Sequence, residues 1–217
     1  MIHESNFKVQ SKEDAEAKGM FLHSENSNKK LIVTFPGMGY TCDMPVLYYF
    51  REAALQHKCD ILSIQYYFHH TEASFDVKND LEQVHDDCCN LILQAVKDIN
   101  SYDSVVFLSK SIGTVIAGKT ALRFDEIPIN HFFLTPISGT IPFIEKAKCV
   151  AIVGTEDHYF KEGDIERIRN MPPVTVEIID GANHSLEIEL NYEKSLSVLS
   201  HLLKLWNDYI ASEEMEI

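Results

Sequence analysis

Residues 104–122 read SVVFLSKSIGTVIAGKTAL, and this stretch decides the fold. SVVFLS is a run of β-branched and aromatic residues without polar alternation, as in a strand buried on both faces. After it, Ile112, Val115, Ile116 and Leu122 recur at helical spacing. Only Ser109-Lys110-Ser111-Ile112-Gly113 joins the two, so a buried strand must turn sharply into a helix. Such a turn needs small residues two before and two after its apex, or the backbones collide. Ser109 and Gly113 meet that need around Ser111. The Ser111 hydroxyl is then expected at the edge of the sheet, beside a helix N-terminus whose free N–H groups favour developing negative charge. Taken alone, the pattern S-x-S-x-G equally suits a serine that only caps its helix.

The rest of the chain repeats the alternation. LIVTF (31–35), CDILSIQYY (59–67), HFFLTPI (131–137), CVAIVG (149–154) and VTVEIID (174–180) are further predicted strands, most of them continuously apolar. FKVQS (7–11) and GMFLHS (19–24) are two more, separated by the charged stretch KEDAEAK. Helical spacing marks 44–57, a long helix over 76–99 with Val77, Leu81, Val84, Cys88, Leu91, Ala95 and Ile99 on one stripe, and a last helix with Leu196, Leu199, Leu202, Trp206 and Tyr209. The terminal SEEMEI reads as a frayed acidic tail. Strands alternating with helices imply an α/β, three-layer α/β/α sandwich around an open, mostly parallel sheet. Without repeats or a Pro/Gly/Ser linker, residues 1–217 read as one domain.

In such sheets function sits in the loops leaving the carboxyl ends of the strands. CVAIVG is followed by Thr155-Glu156-Asp157-His158, and VTVEIID by Gly181-Ala182-Asn183-His184-Ser185-Leu186. Ser111, Asp157 and His184 thus each follow a different strand. A serine hydroxyl is too weakly acidic to attack unaided. An imidazole can take and return its proton, and a carboxylate fixes the imidazole tautomer and steadies its charged form. After LIVTF comes Pro36-Gly37-Met38-Gly39-Tyr40, whose glycines let N–H groups turn inward. The N–H groups of Met38 and Ile112 are the natural oxyanion donors.

Composition narrows the partners. The 217 residues are 45% hydrophobic and 24% charged, with a formal net charge of −14. That field repels polyphosphate, and Lys29-Lys30 is the only adjacent basic pair, so no nucleic acid is expected. No apolar run is long enough for a membrane span, and MIHESNFKVQ lacks the features of a secretory signal. Five cysteines, Cys88 and Cys89 adjacent, do not make a disulfide framework; a reducing, cytoplasmic setting is expected. His69-His70 follow CDILSIQYY but lack a third ligand at suitable spacing, so no metal and no cofactor is expected. His158 reads as a solvated loop residue, Cys42 as a buried inert thiol and His85 as exposed or partly packed. Lys110 either lends positive charge to an anionic substrate or points away to solvent or a carboxylate.

The elbow, the G-T-E-D loop, the G-A-N-H-S-L loop and the P-G-M-G loop together resemble the α/β-hydrolase superfamily, specifically its small, lidless, cytoplasmic esterase-like members. The resemblance covers about residues 30–210. It implies Ser111 as nucleophile, Asp157 as acid, His184 as base, and Met38 and Ile112 as oxyanion donors. Two positions depart from the family pattern: G-x-S-x-G begins here with Ser109, and the frequent H-G before the oxyanion residue is Pro36-Gly37. Glu156 is the alternative acid.

A serine nucleophile leaves acyl chemistry: carboxylic ester, thioester, lactone or amide. Between HFFLTPI and CVAIVG lie only residues 138–148, too few for a cap domain at that site. An open pocket is therefore expected, walled by the 38–45, 66–76 and 138–145 loops and lined by Tyr40, Tyr66, Tyr67, Phe68, Ile141 and Phe143. The expected function is a serine esterase for a small-molecule acyl substrate. A thioesterase or small peptidase-like hydrolase shares the mechanism. A catalytically silent binding protein on the same fold is the rival from another class, one expected to have lost a member of the triad.

Overall fold

The computed structural model of the chain describes all residues except 13–14, 25–27, 70–74, 97, 125, 173 and 213–217. His70, part of the KEDAEAK stretch and all but Ser212 of the acidic tail fall outside the described residues. One sheet holds β1 (Ile2–Gln10), β2 (Glu16–Ser24), β3 (Lys30–Phe35), β4 (Asp60–Gln65), β5 (Ser104–Ser111), β6 (Ile129–Pro136), β7 (Cys149–Gly154) and β8 (Val174–Ile179). Their spatial order is β1-β2-β4-β3-β5-β6-β7-β8. β1 and β2 pair antiparallel, as do β2 and β4; every other pair is parallel.

The central strands are apolar throughout because both faces are covered. On β5, Val105 and Phe107 join a core with Val84, Cys88 and Leu91 of α2 (Val77–Ala95) and Ile116 of α3 (Ile112–Ala121). Val106 and Leu108 point to the other face, toward Phe50 and Ala54 of α1 (Pro45–Gln56) and Leu202, Trp206 and Ile210 of α6 (Tyr192–Ser212). Trp206 stacks on Phe50 with centroids 5.2 Å apart, and its Nε1–H donates to the Phe50 carbonyl at 2.9 Å. Its indole is fully buried without leaving a donor unmet. A third cluster lies under α4 (Ile141–Ile144) and α5 (Glu162–Arg169).

Where the chain departs from its sequence pattern, the reason is local. β1 and β2 run longer than their apolar cores suggest, because residues along β1 alternate between exposed and half-buried, as an edge hairpin allows. α2 stops at Ala95, with Val96 extended. Helix α5 carries only two buried apolar residues, Ile165 and Ile168, among eight. His85 is buried rather than exposed, with the Cys89 thiol 3.7 Å from its Nε2. Residues 138–144 form a short helical turn and α4, and no cap domain is inserted there.

The strand order matters most for function. From β3 the chain moves to β4 on one side and then returns to β5 on the other. The carboxyl ends of β3 and β5 therefore diverge in their connections, which opens a crevice between them.

One buried group makes stability depend on pH. His131 on β6 stacks on Phe133 with centroids 4.8 Å apart and stands edge-on to Phe107. Burial lowers its pKa to about 4. The unfolded imidazole, near its ordinary value of about 6.5, takes up a proton that the folded one refuses, so stability falls as pH falls through that window. His131→Phe is expected to lose less Tm than the wild type between about pH 7 and about pH 5. Parallel Tm curves in thermal melts would exclude His131 as a source of acid sensitivity.

Candidate active site

The turn from β5 into α3 places Ser111 at φ 55° and ψ −126°, a left-handed conformation rare for a residue with a side chain. The neighbours explain why the sequence tolerates it. A Cβ at Gly113 would lie 2.3 Å from the carbonyl oxygens of both Phe35 and Pro36, so only glycine lets the loop after β3 approach this closely. Ser109 is fully buried, which leaves room for nothing large. The Thr114 hydroxyl donates to the Ser111 carbonyl at 2.6 Å and holds the first turn of α3.

The loops after β7 and β8 meet over this turn. A Cβ at Gly154 would lie 2.1 Å from the Ala182 carbonyl oxygen, so the two loops lie backbone to backbone. Glu156 N–H donates to that carbonyl at 3.0 Å, and Gly181 N–H donates to Thr155 Oγ1 at 2.8 Å. Asn183 Oδ1 accepts from the N–H groups of Ser185 and Glu187, which shapes the segment carrying His184. The result is a hydrogen-bonded series: Ser111 Oγ lies 2.8 Å from His184 Nε2, and His184 Nδ1 lies 2.7 Å from Asp157 Oδ2.

The Asp157 carboxylate is wholly buried, yet its second oxygen accepts the Tyr159 N–H at 2.8 Å. A buried carboxylate needs such partners, since an unpaired one costs several kcal/mol or more. Glu156 and His158 are exposed, and neither side chain joins the series. Asp157 occupies the place beside the imidazole.

A cleft of about 300 Å³ opens above Ser111, lined by Gly37, Met38, Gly39, Tyr40, Lys110, Tyr159, His184 and Ser185. Tyr40 thus lines the cleft as read from sequence, Met38 also lines it, and Ile112 follows Ser111 as the first residue of α3. The other expected wall residues are elsewhere. Tyr66, Tyr67 and Ile141 are buried, and Phe68 and Phe143 pack against the core. Phe143 covers Gly118 of α3. Tyr159 is the wall residue that sequence reasoning missed; its ring lies 4.6 Å from that of His184. The only sequence signal for it was an aromatic side chain two residues beyond the acid.

Lys110 lines the cleft and neither points away to solvent nor pairs with a carboxylate. Its side chain is buried, and Nζ donates to Thr135 Oγ1 at 2.7 Å and to the His184 carbonyl at 2.6 Å. The ammonium also lies 4.7 Å from the centre of the Tyr40 ring, while Tyr40 Oη accepts the Val46 N–H at 3.0 Å. One cation therefore ties the elbow to the segment carrying His184. Burial lowers its pKa to about 7, although the carboxylates of Asp157 and Glu187 pull the other way.

The Cys42 thiol is pushed up to about 12 by burial and donates to the Ile64 carbonyl, which leaves it unreactive. His69 Nε2 lies 2.9 Å from the carbonyl oxygen of Gly37. Among the described residues no group of three or more His, Cys, Asp or Glu side chains is placed to hold a metal ion, and no helix is long and apolar enough to cross a membrane.

The sequence matches no protein-family model and no curated protein. Solved structures are similar over nearly the whole chain. Dienelactone hydrolase from Anabaena variabilis superposes with a TM-score of 0.71 at 16% identity, over 97% of this chain and 98% of its own. Est1E from Butyrivibrio proteoclasticus with ferulic acid bound gives 0.72 at 10% identity, over 97% and 100%. An α/β serine hydrolase without a lid from Xanthomonas campestris gives 0.64 at 12% identity, over 94% of each chain. At these identities the likeness concerns the fold, and the fold is that of the α/β hydrolases.

Lys110 is testable by its charge. Between about pH 7 and about 10.5 the unfolded chain holds a proton on this lysine that the folded chain lacks, so its contribution to stability rises with pH through that window. Lys110→Met keeps the length and removes the charge. The Tm of the wild type relative to this variant is expected to climb between about pH 6.5 and about pH 9. A constant difference would mean that the buried amine does not titrate there.

Proposed function

We propose that this chain, built on the α/β-hydrolase fold, is a serine hydrolase that cleaves a carboxylic ester through an acyl-enzyme intermediate. The series Ser111 Oγ–His184 Nε2 and His184 Nδ1–Asp157 Oδ2, at 2.8 and 2.7 Å, carries this reading. With Nδ1–H held by Asp157, the free lone pair of His184 sits on Nε2, facing the serine. Ser111 Oγ attacks the acyl carbon as its proton passes to Nε2. The carbonyl oxygen becomes an oxyanion that the N–H groups of Met38 and Ile112 stabilise, each such donor being worth roughly 10²–10³ in rate. The imidazolium then gives its proton to the departing alkoxide, which leaves Ser111 acylated. A water activated by the same imidazole hydrolyses that ester and restores the serine.

Asp157 acts as the acid partner and Glu156 does not. The open cleft with Tyr40 and Tyr159 as aromatic walls suits small acyl groups, and the aromatic acid seen in Est1E is in keeping with such walls. The five free cysteines suit a cytoplasmic setting. The acidic net charge agrees with a small-molecule partner rather than nucleic acid or membrane.

A fluorophosphonate is expected to form a covalent adduct at Ser111, located by mass spectrometry of peptides, and Ser111→Ala to abolish it. Labelling at Ser109 instead would misplace the elbow. Asp157→Asn is expected to lower kcat by roughly 10³–10⁴ while Glu156→Gln stays near the wild type. The opposite ranking would reassign the acid.

Chain length tests the open cleft. Among p-nitrophenyl esters, kcat/KM is expected to peak at acetate to hexanoate and fall by dodecanoate. Only the first few methylenes can leave water there, at roughly 0.8 kcal/mol each. An optimum at long chains would require a loop to close over the site.

A further inference from the structure

We propose that His69 is the positioning residue of the oxyanion hole: by holding the Gly37 carbonyl it aims the Met38 N–H at the reacting oxygen. This assignment rests on the hydrolase reading above and adds a residue that no triad or elbow motif contains.

The observation is the 2.9 Å separation between His69 Nε2 and the Gly37 carbonyl oxygen. That oxygen and the Met38 N–H belong to one peptide unit. A trans peptide is planar, and its C=O and N–H point in opposite directions. Whatever fixes the carbonyl therefore fixes the N–H, and a tilt of one tilts the other equally. Among the described residues, little else holds that plane. Gly37 N–H donates to the Tyr40 carbonyl at 3.0 Å, which closes the turn but restrains the peptide before Gly37. Gly37 and Gly39 both flank Met38 and add no side chain. A loop this rich in glycine rotates its peptides cheaply, so a hydrogen bond from outside is the means of preorganising it.

The fold brings His69 to the place. β4 lies beside β3 and runs parallel to it, so the loops leaving their carboxyl ends are neighbours. His69 ends the helical turn Tyr67–His69 that follows β4, with its own N–H donating to the Tyr66 carbonyl at 3.1 Å. Its ring is wedged 5.0 Å from Tyr66 and 4.9 Å from Phe68, which fixes where Nε2 points. Tyr66 and Phe68, both expected to line the pocket, buttress this histidine instead. Nε2–H is present in one neutral tautomer and in the imidazolium, so the ring can donate this bond in either form.

Two substitutions separate the donor from the ring. His69→Phe keeps the aromatic wedge and removes Nε2–H. His69→Gln gives up the ring but carries an N–H donor, its Nε2, at the same number of bonds from Cβ. The readout is the reaction of Ser111 with a fluorophosphonate, resolved into reversible binding and the first-order bond-forming step. This needs no knowledge of the natural substrate, and the phosphoryl oxygen develops charge where the ester oxyanion would. The affinity of an aryl trifluoromethyl ketone, whose hemiketal oxyanion seeks the same hole, is measured alongside.

His69→Phe is expected to slow the bond-forming step by about tenfold to a hundredfold, short of the roughly 10²–10³ for deleting a donor outright. Reversible fluorophosphonate binding should be unchanged, and the ketone should bind more weakly by the same factor. His69→Gln should return both to within about threefold of the wild type, because its donor again holds the peptide. Equal losses in the two variants, or a bond-forming step in His69→Phe within twofold of the wild type, would overturn the assignment while leaving the hydrolase reading intact. A wild-type chain that forms no adduct at Ser111 would overturn both.

Discussion

The backbone of Ser111, held at positive φ while Gly113 presses against the carbonyls of Phe35 and Pro36, is the contact on which the rest of the site depends. A residue in that conformation costs on the order of 1–3 kcal/mol and persists only where its surroundings over-determine it. Here they do. β5 is buried on both faces, α3 packs across it, and neither can shift without opening two cores. The strain sets a hydroxyl at the sheet edge and brings the loop after β3 against the elbow. Ser111 and the N–H groups proposed as oxyanion donors are thus placed by one contact rather than two.

A second constraint is electrostatic. The Asp157 carboxylate is withdrawn from water, where it accepts the Tyr159 N–H and faces Nδ1 of the His184 imidazole. Lys110 supplies a cation on the same side, beneath the His184 carbonyl, and gives up much of its own solvation to do so. Buried ionic groups gain little net stability over apolar ones, but each unpaired member would be costly. The arrangement is best understood as orientation: carboxylate and ammonium each fix one end of the segment that carries the histidine. His69, 2.9 Å from the Gly37 carbonyl oxygen, stands to the loop after β3 as these two stand to the histidine loop.

Much was legible in the chain because the physics involved is local or repetitive. Continuous apolar runs mark strands covered on both faces, and the spacing in 76–99 and after Tyr192 marks amphipathic helices. Small residues around Ser111 mark a turn that nothing larger could make. Ser111, Asp157 and His184, each after a strand, share one edge of the sheet because those strands are parallel. What the sequence by itself determined was therefore the sheet, the elbow and the loops from which Ser111, Asp157 and His184 arise.

The tertiary structure alone decided which side chains face one another. Tyr66, Phe68, Ile141 and Phe143 have the composition of a pocket wall, yet residues beyond a strand end can turn into a core as readily as into a cleft, and these do so. Tyr159 reaches the site because its N–H caps Asp157, a contact between near neighbours that spacing does not display. Lys110 lies beside the nucleophile in sequence but finds its partners on Thr135 and His184, 25 and 74 residues away. His69 meets Gly37 across 32 residues because β4 happens to flank β3. Periodicity records burial along a single element. The direction of a long polar side chain at the junction of several loops depends on distances between elements, and those exist only once the sheet has formed.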